Sequence, residues 1–286
     1  MRISSLIKTI LWLLPVVALA APTWAELVGG DVLVTPTRLV IAGDTRTAAI
    51  TVVNTGTKTV AYRVAFIHMR MDETGGMKEV TDVLPGELYA DKLIRFAPHQ
   101  IILKPNSTQT IRLQIRKPAQ LEVGEYRAHL VIRALPPDSV DETTEKEPVN
   151  PAKGFKIQLT ALFGIAIPIM VRNGATTTTA SLAELQVQPG EKPTDPPSMS
   201  ARINRTGNQS VYGDLTVLFT PRGAKPVLVN ETNGLVVYTP NPLRLVRLPL
   251  SLPAGMALRG GRLTLTYRTK PEEGGKLLAE SSLDLP

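Results

Sequence analysis

Short runs of alternating apolar and polar residues, closed off by Gly, Pro, Asn or Asp, fill most of this chain. In QTIRLQIRK, Ile111, Leu113 and Ile115 alternate with Arg112, Gln114 and Arg116. Successive side chains of a strand point to opposite faces, so this run predicts a half-buried strand. EYRAHLVIRAL likewise sets Tyr126, Ala128, Leu130 and Ile132 on one face. TAAITVV ends in NTGTK and VAYRVAFIHMRM follows, which predicts a hairpin or a turn between sheets. MSARINR, SVYGDLTVLF, KPVLV, LVVYT, RLVRLPLSL, GRLTLTYRT and LLAESSLDL continue the pattern, and the Asn-Gly of NETNGL predicts a hairpin. Short strands at regular spacing predict sandwiches or barrels.

The chain has 286 residues, 43% of them hydrophobic, enough for two ordinary domains with real cores. The break falls at NGATTTTAS, a turn followed by small residues. The prediction is all-β, with one domain over 26–172 and another over 176–286. Each holds roughly the seven short strands of an immunoglobulin-like sandwich. PPDSVDETTEKEPVNPAKG is a long polar loop in the first, and PGEKPTDPPS a Pro-rich loop in the second.

MRISSLIKTILWLLPVVALAAPTWA has the layout of a cleaved secretory signal: Arg2 and Lys8, an apolar core from Ile10 to Ala21, then small residues. Cleavage is expected after Ala25, with Ala20 as the second choice. The apolar core falls short of the ~20 residues a membrane span needs, and no other segment qualifies, so no membrane insertion is expected. The formal net charge is +7 and its Lys and Arg are scattered, which argues against a nucleic-acid partner. There is no Cys, which excludes Cys catalysis and Cys-ligated metal.

An enzyme is not expected. His68, His99 and His129 are not at metal-ligand spacing with one another or with a carboxylate pair. His68 and His129 fall in predicted strands, where a hydrogen-bonded structural role is expected. No nucleophile elbow, phosphate-binding loop or dinucleotide fingerprint occurs. No cofactor and no metal are expected.

One stretch is out of proportion. Residues 156–172 read KIQLTALFGIAIPIMVR. Its odd face is apolar throughout: Ile157, Leu159, Ala161, Phe163, Ile165, Ile167, Ile169 and Val171. Extended, 157–171 spans on the order of 50 Å, against the usual 5–6 residues of a strand. Pro168 cannot donate to a ladder and suits an edge strand. Gly164 suggests a bulge or close approach of another backbone. An exposed apolar edge invites aggregation unless a partner completes it, so one reading is strand addition to another chain. An ordinary buried strand, apolar on both sides, fits the pattern equally.

The mature chain resembles the PapD-like periplasmic chaperones of chaperone–usher pilus assembly. VTPTRLVIAG is similar to that family's opening strand, AAITVVNTGTKTVAYRVAF to its second and third strands, and FAPHQIILKPNSTQTIRLQI to its "Pro…Leu-x-Pro-Gly…Gln…Arg-Ile" segment. GEYRAHLVIRALPP is similar to its strand ending in "Ile-Pro-Pro", and the long stretch falls where its donor strand lies. The blocks match in order over about 31–172. INRTGNQSVYGDL sits where the second domain of the family begins its Asn-bearing strands.

The resemblance implies two immunoglobulin-like sandwiches set at an angle around a cleft, in the periplasm. It implies that alternate residues of the donor strand (Ile157, Leu159, Ala161, Phe163, Ile165 and Ile167) fill the gap in an incomplete pilus subunit. An outer-membrane usher then takes the subunit over. Arg38 matches the family's first-strand Arg, which holds the subunit's terminal carboxylate. The family's donor-strand Lys has no counterpart: its position falls on Pro168, which leaves Lys156 and Arg172 as the nearest substitute cations. An exposed edge also implies self-association of the free protein. The alternative is a secreted tandem-sandwich adhesin or a pilus component.

Overall fold

The computed structural model describes residues 27–28, 31–136, 161–192 and 195–286. The predicted signal segment, residues 137–154 of the charged loop, and Lys156, Ile157 and Leu159 lie outside the described residues.

The fold is all-β, built of two sandwiches. Strands β1 (Leu27–Val28), β2 (Val32–Thr35), β3 (Leu39–Ile41), β4 (Thr47–Asn54), β5 (Val60–Met71) and β6 (Met77–Val80) open the chain. They are followed by β7 (Ile94–Ala97), β8 (Gln100–Leu103), β9 (Thr108–Ile115), β10 (Gly124–Ala134), β11 (Ala161–Leu162) and β12 (Gly164–Asn173). One sheet of the first sandwich has the order β2-β4-β9-β7; the other runs β3-β12-β10-β5-β6, with β8 also on β5. β4 and β5 lie in different sheets, so NTGTK is a turn between sheets rather than a hairpin. Its anchor is Asn54, buried, whose Nδ2 donates to Lys58 O and Leu103 O while its Oδ1 accepts from Gly56 N.

The second sandwich comprises β13 (Thr178–Gln188), β14 (Ser198–Gly207), β15 (Val211–Pro221), β16 (Val227–Val237), β17 (Leu243–Pro249), β18 (Gly261–Arg268) and β19 (Leu277–Leu285). Its sheets are β13-β14-β17 and β16-β15-β18-β19. The predicted hairpin at NETNGL is corrected: Asn233 and Gly234 lie inside continuous β16, at a register shift against β15. Gly234 has φ of 70°, and Asp214 Oδ1 accepts its N–H at 2.7 Å. The left-handed glycine that a tight hairpin needs serves a β-bulge equally well.

Period-two alternation decides what is buried. Ile111, Leu113, Ile115, Tyr126, Ala128, Leu130 and Ile132 all belong to the first core, with Ile50, Val52 and Tyr62. Met199, Ile203, Leu215, Val217, Phe219, Leu263, Leu265 and Tyr267 form the second. Each large side chain so buried contributes about 1.5–3 kcal/mol. A third, small cluster (Met71, Met170, Val236 and Tyr238) joins the two sandwiches.

Candidate functional site

The long apolar stretch is an interior strand at one end and an edge at the other. β12 pairs antiparallel with β10 from Asn173↔Gly124 to Gly164↔Arg133. On its other flank β3 pairs in parallel, over Ile169↔Leu39, Met170↔Val40 and Val171↔Ile41 alone. From Gly164 to Pro168 that flank has no strand among the described residues. Phe163 interrupts the strand; beyond it, β11 pairs in parallel with β1.

Alternation fixes which main-chain groups are free. Ala134 N donates to Phe163 O at 2.8 Å, so the odd-numbered residues of this strand turn their N–H and C=O toward β10. Gly164, Ala166 and Pro168 turn theirs to the open flank. Pro168, which has no N–H, sits where no bond to β10 is lost.

The side chains divide differently from the expectation. Ile167 is 1% exposed, and it lies with Ile169 and Val171 in the chain's own core; Ile165 is half-buried against the same core. The odd face is therefore spent internally from Ile165 onward, because β12 is also a member of a sandwich. Phe163 at 41% exposure and Leu162 at 42% carry the open apolar surface. Ala161 lies in β11.

The even face of β12 and the odd face of β10 look toward the second sandwich, and here polar residues are buried. Glu125 is closed off from solvent, accepting from Arg172 Nε at 3.0 Å and from Ser210 N at 3.1 Å. Arg127 lies over the Tyr238 ring, 4.1 Å from its centroid, and donates to Met69 O and Thr239 O. His129, opposite Pro168, is buried with no partner on Nδ1 among the described residues. Burial, reinforced by Arg127, lowers it to about 3. His68 instead pairs with Asp91 at 3.0 Å and stacks on Tyr89, and His99 lies edge-on to Phe96. Among the described residues no three His, Asp or Glu gather into a metal-binding group.

Arg38 stands at the mouth of this seam, in the turn that carries the chain from β2 in one sheet to β3 in the other. It lies over the Tyr212 ring at 4.1 Å, and its nearest carboxylate is Glu273, 3.8 Å away on the turn before β19. Its Nε is buried with no partner among the described residues. Burial lowers its pKa, opposed by Tyr238, Glu125 and Glu273. Arg38 and Arg172, together with Gln209, Ser210, Tyr212 and Glu273, line a cleft of about 170 Å³ between the sandwiches. The two arginines that sequence set 134 positions apart thus meet in one pocket. Sequence reading gave no role to Tyr212 or Glu273, which lie in the other sandwich, although Tyr212 falls within INRTGNQSVYGDL.

The class defined by these features is an all-β protein of two sandwiches, with an arginine cleft between them and a half-open edge strand. No family model and no curated protein matches the chain. Solved structures are similar to it. The crystal structure of the YadV chaperone is 12% identical, with a TM-score of 0.46, covering 89% of this chain and 100% of that one. The CsuC–CsuE chaperone–tip adhesion subunit pre-assembly complex from the archaic chaperone–usher Csu pili of Acinetobacter baumannii is 10% identical. Its TM-score is 0.44, over 88% of this chain and 97% of that one. Salmonella enterica SafA pilin in complex with the SafB chaperone is 15% identical at a TM-score of 0.41, over 89% and 96%.

Proposed function

We propose that this chain is a periplasmic chaperone that binds pilus subunits by strand addition and delivers them to an outer-membrane usher. Residues 1–25 act as its secretion signal, and 26–172 and 176–286 as its two domains. The observation that carries the reading is the flank of β12 between Gly164 and Pro168, which has no strand beside it among the described residues while β3 fills the same lane from Ile169 onward.

The lane has a direction. β3 runs parallel to β12, and the residue preceding Leu39 is Arg38. A foreign strand entering in line with β3, parallel to β12, ends beside Arg38. Its terminal carboxylate then meets a guanidinium whose Nε lacks a partner, a geometry suited to bidentate bonding. Arg172, which lines the same cleft, serves as the substitute for the cation that the family pattern would put at Pro168. Outward main-chain groups of Gly164 and Ala166 supply generic affinity, and Phe163 and Leu162 supply apolar contact. The ordered sequence resemblance over 31–172 supports the same role.

Co-purification with a small subunit from a periplasmic extract tests this. Phe163→Asp is expected to abolish recovery of the subunit while the chaperone stays folded. Undiminished recovery contradicts the donor-strand assignment.

A further inference from the structure

The carboxylate that Arg38 faces belongs to the chain itself. Glu273 Oε1 lies 3.8 Å from Arg38 Nη1, beyond hydrogen-bond distance. The pair neutralises charge without satisfying the guanidinium. The Arg38 side chain is 13% exposed and that of Glu273 46%, so the arginine is fixed and the acid faces water. Tyr212 holds the guanidinium from one side.

The segment that carries Glu273 is an exposed turn, open to solvent from Pro271 to Gly274. Pro271–Glu273 is a single 3-10 turn with no side-chain cap, followed by Gly274 and Gly275 at φ of 95° and 59°. No atom of the described residues lies within 4 Å of where a Cβ would sit on either glycine. The turn itself is tied down, Gly275 N donating to Lys270 O at 3.1 Å and Arg268 Nη1 donating to Gly275 O at 3.3 Å, so Glu273 can leave Arg38 by rotating its side chain.

We infer that Glu273 is an internal stand-in for the partner's terminal carboxylate: it occupies Arg38 in the free protein and is displaced when a carboxylate-ended strand binds. This rests on Arg38 being the anchor proposed above. Two carboxylates beside one guanidinium repel, so the ligand must displace Glu273, and that competition sets the affinity. In the free chaperone the same contact adds a counter-charge at 3.8 Å to a mostly buried cation that otherwise has only the shared Glu125. The second sandwich thus regulates an anchor that belongs to the first.

The test uses the full mature chain and two synthetic peptides with an identical alternating Val/Thr sequence, one ending in a free carboxylate and one in an amide. Affinities are measured by fluorescence anisotropy. The wild type is expected to favour the acid about tenfold over the amide. Glu273→Gln is expected to tighten the acid a further three- to tenfold while leaving the amide unchanged. Arg38→Gln is expected to erase the acid preference, and Glu273→Gln added to it is expected to gain nothing. Retained acid preference in the wild type with no gain in Glu273→Gln overturns the stand-in role alone. Equal binding of acid and amide by the wild type overturns the Arg38 anchor, and the stand-in role with it.

Discussion

Arg172 donates through Nε to Glu125 at 3.0 Å, and Glu125 passes the interaction on by accepting from Ser210 N across the junction. One carboxylate, closed off from solvent, thus ties the end of the edge strand to the second sandwich. Breaking a buried pair is costly in proportion to the charge left without solvent. Arg172→Ala strands the carboxylate of Glu125 and is expected to cost about 3–5 kcal/mol in urea unfolding. Glu125→Gln leaves a partly exposed arginine that can reach water, and is expected to cost less. The order of the two variants is the prediction.

Ile167 and Phe163 sit four residues apart on the same face of one stretch but do different work. Ile167→Ala opens a cavity in the first core and is expected to lose about 2–5 kcal/mol of stability. Phe163→Asp, at an exposed position, is expected to stay within about 0.5 kcal/mol of the wild type. Chemical denaturation of each, beside its recovery of a subunit, separates folding from capture.

Acid destabilisation is expected to involve His129. Burial, then Arg127, lower this imidazole to about 3, whereas an unfolded histidine titrates near 6.5. The folded state refuses a proton that the unfolded chain accepts. Stability from this group is complete above pH 6.5 and falls as pH drops toward 3. Between pH 7 and pH 5 the loss is about 2 kcal/mol. His129→Leu is expected to remove it, so that its urea midpoint changes less than the wild type's over that interval.

The β5–β6 hairpin tip docks on the second sandwich. Leu245 N donates to Glu73 O at 2.6 Å, and Asn241 Nδ2 to Met71 O at 2.8 Å. Gly75, at φ of 89°, lies against the Arg244 guanidinium. Gly75→Ala meets both the left-handed backbone and that side chain, and is expected to lose about 1–2 kcal/mol in thermal or urea unfolding.

Strand identity was legible because alternation is local: Ile111, Leu113 and Ile115 read as a buried face and are one. The partner of a face is not local. Glu125, Arg127 and His129 alternate with apolar residues on β10 and so resemble a solvated side, yet they are buried against the second sandwich. Ile165 and Ile167 read as apolar without revealing whose core they fill. Arg38 was legible through a resemblance in the opening strand. Glu273 and Tyr212 became legible only when folding brought a distant turn and strand to it.

Amide hydrogen exchange along β12, free and with a bound subunit or carboxylate-ended peptide, bears on the open edge most directly. Ile165 and Ile167, whose N–H groups face β10, are expected to be protected in both states. Gly164 and Ala166, whose N–H groups face the open flank, are expected to exchange fast in the free protein and to become protected on binding. Protection at Gly164 and Ala166 in the free monomer, or unchanged fast exchange there with the partner bound, would contradict the proposal that a foreign strand completes this sheet.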